Sequence, residues 1–207
     1  MRTHTKESQS SITPEIALKY LVEGNARFVN NLKAHRNLLE QVNDTRDGQF
    51  PFATILSCID SRVPAELIFD QGLGDIFSIR IAGNILNDDI LGSMEFACKV
   101  AGSKLIVVLG HTKCGAIKGA VSEVELGNLT GLLKKIEPAI NYVKKTHDFK
   151  VGDKKFMDAV VNKNAADVAE QITVRSPTLK RMLLAGEIAI VKGVYSVETG
   201  KVKFSLL

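Results

Sequence analysis

The chain alternates short, continuously apolar runs with longer segments whose apolar residues recur at helical spacing. Phe52-Ala53-Thr54-Ile55-Leu56, Asp75-Ile76-Phe77-Ser78-Ile79-Arg80 and Leu105-Ile106-Val107-Val108-Leu109 read as strands, being short and rich in β-branched residues. Ile188 to Val197 is strand-like, and Glu198-Thr199-Gly200 turns it into a last strand, Val202 to Leu206. Thr13-Pro14 has the form of an N-cap with proline in the first helical turn. Behind it, Ile16, Tyr20, Leu21, Ala26, Phe28 and Leu32 lie at helical spacing to about Lys33. Short helices are predicted over 38–46 and 64–69, and an amphipathic one over 87–100 that ends near Gly102. Further helices are predicted over 130–145, over 153–172, and from Ser176-Pro177 to about Gly186. Apolar strands alternating with helices predict an α/β fold, a mostly parallel central sheet flanked by helices. No repeat or linker interrupts the pattern, so residues 1–207 are expected to form a single domain, with polar residues 1–12 flexible.

Two short clusters carry the chemistry. Cys58-Ile59-Asp60-Ser61-Arg62 and His111-Thr112-Lys113-Cys114 supply two thiolates, an imidazole and a carboxylate, the donors a tetrahedral Zn2+ accepts. Cys58 stands at the end of one predicted strand and His111 just past another, and parallel sheets bind ligands outside the carboxyl ends of their strands. The two clusters, 52 residues apart, are therefore expected to form one site. A carboxylate with an arginine two residues on has a second partner. If Asp60 turns to Arg62, a water takes the fourth position, and an open position separates catalytic from structural zinc. The competing readings are a Cys58–Cys114 disulfide and a closed structural zinc site. Cys98, in an apolar helical stretch, is expected to be a small core residue.

Composition adds limits. A hydrophobic share of 45% suits a sizeable core, and a net charge of +4 gives no argument for nucleic acid. The basic pairs Lys134-Lys135, Lys144-Lys145 and Lys154-Lys155 read as solvated helix faces. No run approaches the roughly 20 apolar residues that span a bilayer. Residues 1–11 lack the apolar stretch of a secretory signal. A cytoplasmic protein is expected, with thiols kept free for metal.

These segments resemble the β-class carbonic anhydrases. Cys58-Ile59-Asp60-Ser61-Arg62-Val63-Pro64 and Gly110-His111-Thr112-Lys113-Cys114-Gly115 are similar to that family's two zinc segments, with Arg80-Ile81-Ala82-Gly83-Asn84 between them. Pro14 and Glu23-Gly24-Asn25-x-Arg27-Phe28 are similar to its N-terminal helix, which packs on a neighbouring subunit, and Tyr195 to Val202 to its C-terminal hairpin. The resemblance implies zinc held by Cys58, His111 and Cys114, with Asp60 and Arg62 as the catalytic dyad beside it and Asp60 an alternative fourth ligand. It implies zinc-dependent hydration of carbon dioxide to bicarbonate and a proton, by attack of zinc-bound hydroxide, with activity rising through neutral pH. It places Gln49, Phe77 and Phe96 in a substrate pocket, Gln49 reaching the pocket of the adjacent subunit, and so implies a homodimer or tetramer. Phe96 falls where some members have tyrosine. Ile81 replaces the usual Asn. Ile55 replaces a tryptophan that in one subset helps form a non-catalytic bicarbonate pocket, of which Arg80 matches another part; no inhibition of that type is expected. Rival functions are a carbonyl sulfide or carbon disulfide hydrolase on the same scaffold and a catalytically silent zinc protein.

Overall fold

Five strands, β1 (Ala53–Ser57), β2 (Ile76–Arg80), β3 (Leu105–His111), β4 (Ala189–Tyr195) and β5 (Val202–Leu206), form one sheet in the order β2-β1-β3-β4-β5. This computed structural model describes residues 3–206 of the chain. The first four strands run parallel and β5 returns antiparallel to β4. β1 and β3 are parallel neighbours, with Ser57 opposite Leu109, so the chain leaves both strands at the same end of the sheet. The expected α/β class and mostly parallel sheet are what the structure has. β3 runs two residues further than its apolar core suggests, because Gly110 and His111 pair with Val194 and Tyr195.

Period-two alternation divides the strands between two apolar layers. Ile55, Val107, Leu109 and Val191 pack with Ala17 and Leu21 of α2 (Pro14–Val29) and with Ala65 and Ile68 of α4 (Ala65–Ile68). Leu56, Ile106, Val108 and Ile190 face a second layer. Its helices are α5 (Asp88–Glu95), α9 (Lys154–Arg175) and α10 (Pro177–Leu184). A sheet covered on both faces explains why β1 and β3 carry no polar alternation. A third cluster joins α6 (Gly115–Val121), α8 (Glu137–Thr146) and α9 around Cys58 and Cys114.

The helix expected over 130–145 is two helices, α7 (Gly127–Lys134) and α8. Pro138 has no N–H to offer Lys134 O, so the helix stops and restarts with proline in its first turn. The helix expected over 87–100 is α5 followed by one wider π-type turn, Phe96–Val100, closed by Ala101 N–H on Phe96 O at 3.0 Å. α6 has no counterpart in the sequence reading. Where flexible residues are expected, α1 (Lys6–Ser10) is docked on the core: Gln9 Nε2 donates to Pro51 O at 2.7 Å and to Ala101 O at 2.8 Å. α3 (Leu38–Thr45) matches the predicted short helix.

Candidate metal centre

Cys58 follows β1, His111 ends β3, and Cys114 caps the start of α6, so the two adjacent strands bring the clusters together. The donor atoms of the three residues lie within 4.8 Å of one another, and all three side chains are buried. The two sulfurs are 3.9 Å apart and the cysteines are free. Two thiolates on a tetrahedral zinc, each about 2.3 Å from it, stand about 3.8 Å apart, so the spacing suits that ion. His111 supplies the second test of fit. Its Nδ1 donates to Thr112 O at 3.0 Å, which leaves Nε2 as the unprotonated nitrogen. That Nε2 is buried with no hydrogen-bond partner, and a metal ion would satisfy it. The residues present fit zinc.

The thiol pair ionises unevenly. Cys58 is pulled well below the usual thiol range by the Cys114 thiol, against its own burial, and then by His111 and the Gly83 N–H; Cys114 is pushed up by the neighbouring Cys58 sulfur and by burial. One proton leaves readily, and the second is held because two anions side by side repel.

Asp60 stands beside this cluster, its Oδ2 3.9 Å from His111 Nε2. Both carboxylate oxygens are taken by Arg62: Nε to Oδ1 at 2.9 Å and Nη2 to Oδ2 at 2.7 Å, with the Arg62 N–H on Oδ1 at 3.0 Å. This forked pair holds the Asp60 carboxyl well below the usual carboxylate range, although partial burial opposes it. Arg62 also donates to Lys113 O at 3.3 Å, which ties the first cluster to the second.

Several supporting contacts were not legible in the sequence, although Gly83 reads there as a turn or close-packing glycine near the metal. Gly83, at φ +68°, donates its N–H to Cys58 Sγ at 3.4 Å. Its carbonyl accepts from buried Asn164 of α9 at 3.0 Å. Thr112 donates its N–H to Tyr195 O at 2.9 Å, and its hydroxyl accepts from Val197 N–H at 3.1 Å, so the C-terminal hairpin buttresses the His111 loop. Arg80 donates to Cys58 O and Asp60 O. These contacts run to backbone atoms, and no spacing rule announces them.

The predicted pocket residues lie apart from the cluster of their own chain. Gln49 is exposed before β1. Phe77 pairs in register with Thr54, near the opposite end of β1 from Cys58. Phe77 and Phe96 meet edge to face at 6.3 Å, and both line a surface concavity with Ile79 and Gly92. Ile55 is fully buried, and Ile81 packs against two of the apolar clusters. Cys98 is buried as expected, and burial pushes its thiol up to about 12.

A mostly parallel sheet with a buried Cys-His-Cys cluster at the carboxyl ends of adjacent strands defines an α/β protein with a site for a tetrahedral metal ion. A sequence model of the carbonic anhydrase family matches residues 53–202. A carbonic anhydrase of Mycolicibacterium smegmatis is 38% identical over 196 residues, covering 92% of each chain. The β-carbonic anhydrase CcaA has a similar structure, with a TM-score of 0.72 at 27% identity and 92% of each chain covered. A tetrameric β-carbonic anhydrase of Sordaria macrospora shares the fold, with a TM-score of 0.74 at 22% identity, over 90% of this chain and 95% of that one. The chain belongs to the β-carbonic anhydrase family, and it is a carbonic anhydrase. No helix among the described residues is long and apolar enough to cross a membrane.

Proposed function

We propose that this chain catalyses the reversible hydration of carbon dioxide to bicarbonate with Zn2+ held by Cys58, His111 and Cys114. The observation that supports this reading most is the Asp60–Arg62 pair, a carboxylate beside three buried metal donors with both its oxygens engaged by a guanidinium. A closed structural site has no use for that arginine. When bound, Zn2+ supplies the Lewis acidity that brings the pKa of a coordinated water to about 7 in favourable sites.

The protein's own groups do the rest. Arg62 keeps Asp60 ionised and turned from the donor cluster. Asp60 accepts a hydrogen bond from the reacting water through a remaining lone pair and so orients it. Carbon dioxide has no net dipole, and an apolar wall suits it. Phe77 and Phe96 are the proposed wall and Gln49 its polar member, all three supplied by a partner subunit because they lie away from their own cluster. A homodimer is then the minimum assembly and a tetramer the larger alternative; the Sordaria macrospora enzymes are tetrameric. Cys58 and Cys114 must stay reduced to hold a metal ion, which suits a reducing compartment, so the cytoplasm is the proposed location.

Stopped-flow measurement of carbon dioxide hydration by the zinc-loaded protein tests this. Asp60→Ala should lower kcat by about 100-fold or more while zinc stays bound. The rate should rise as pH passes upward through neutrality. No hydration at full zinc occupancy would overturn the reading.

A further inference from the structure

Arg80 ends β2 beside Ser57, the last residue of β1, and the ladder makes one more bond, from Ile81 N–H to Ser57 O at 3.0 Å. Beyond it Cys58-Ile59-Asp60 leaves the sheet, and its carbonyls have no strand partner. The Arg80 guanidinium takes them over: Nε donates to Cys58 O at 3.0 Å and Nη2 to Asp60 O at 2.6 Å. Asp60 O also accepts from Val63 N–H at 2.9 Å. The main chain of Asp60 is therefore held by Arg80, and its carboxylate by Arg62.

We propose that Arg80 is a positioning residue for Asp60, fixing the Cys58–Asp60 loop so that the carboxylate meets Arg62 and stays off the metal donors. The inference rests on the zinc reading above. A rigid fork matches two carbonyls two residues apart, whereas a lysine ammonium is a point charge that holds one of them. Charge-assisted bonds of this kind are about twice as strong as neutral ones. Without the fork, the loop turns about Asp60. The carboxylate, with Oδ2 already 3.9 Å from His111 Nε2, then swings onto the metal as a fourth protein ligand.

Cobalt-substituted protein gives a readout that does not depend on turnover, because visible absorption of Co2+ reports its ligands. Arg80→Lys and Arg80→Ala should bind Co2+ as fully as the wild type, yet show a shifted spectrum. In Arg80→Ala combined with Asp60→Ala the Arg80-dependent shift should vanish, because the incoming ligand is gone. In the zinc forms, kcat should fall about 10- to 100-fold with KM little changed, as for a reacting group misplaced by about 1 Å. Added guanidinium ion should restore part of the rate and spectrum of Arg80→Ala. An unshifted cobalt spectrum in both single variants would overturn the proposal, and so would a shift that persists without Asp60. If the wild type hydrates no carbon dioxide, the proposed function fails, and the cobalt spectra still decide the role of Arg80.

Discussion

Gly83 joins a backbone requirement to the chemistry of the site. It sits at φ +68°, and a Cβ there would lie 2.9 Å from Ile136 Cδ1 and 3.3 Å from Ala116 Cβ. Gly83→Ala should therefore cost about 1–3 kcal/mol of stability, read by denaturant unfolding. It should also weaken metal binding, because the N–H on Cys58 Sγ moves with the backbone. The trio Cys58, His111 and Cys114 was legible from residue type and spacing, since few arrangements of two thiols and an imidazole at strand ends serve anything but metal. Gly83 was legible as a turn or close-packing glycine near the metal, but its N–H on Cys58 Sγ was not, nor were the roles of Asn164 and Thr112. Each acts through a main-chain donor or acceptor whose direction exists only once the strands are paired.

At the level of elements, the strands and most helices were legible because β1 and β3 are buried on both faces and α2 keeps an apolar stripe. The misses have local causes: α6 is a short helix with two glycines, and Pro138 splits a continuous apolar pattern. Leu21 is the fully buried anchor of α2, and Leu21→Ala should cost about 2–5 kcal/mol in thermal or denaturant unfolding. The chain after α2 is held by Asp70, whose oxygens bind Arg27 Nε at 2.5 Å, Arg36 Nη1 at 2.7 Å and Ala34 N–H at 3.1 Å. Burial opposes ionisation of Asp70, but these donors outweigh it and hold the carboxyl below the usual range. A depressed acid contributes stability above its unfolded pKa, about 3.9, and loses that contribution as pH falls through the folded value. Asp70→Asn should thus lower Tm markedly at neutral pH. The gap to the wild type should narrow only as pH falls below about 4, a comparison that calorimetry in a pH series makes directly.

For the whole molecule, the sheet leaves β2 at one edge and β5 at the other. α3 exposes Leu38, Leu39 and Val42, an apolar face that an isolated chain would leave in water. If Gln49 serves the pocket of a partner, Gln49→Ala and Asp60→Ala subunits, each poor alone, should complement when mixed and reassembled. In a two-fold dimer, random pairing rebuilds one intact site in half of the dimers, about a quarter of wild-type activity. Preparations that stay additive would place each site within one chain.

The hairpin contacts from Tyr195 and Val197 to Thr112 have a consequence for biosynthesis. β1 emerges from the ribosome early, and its natural neighbour β3 follows after the crossover. The loop bearing His111 and Cys114, however, finds its buttress only in Tyr195 and Val197, the latter 85 residues beyond Thr112. A nascent chain therefore carries its thiols without a finished cage until Tyr195 and Val197 have been made. Metal capture should therefore follow synthesis of this hairpin, and a product clipped between Cys114 and β4 should hold a metal ion poorly.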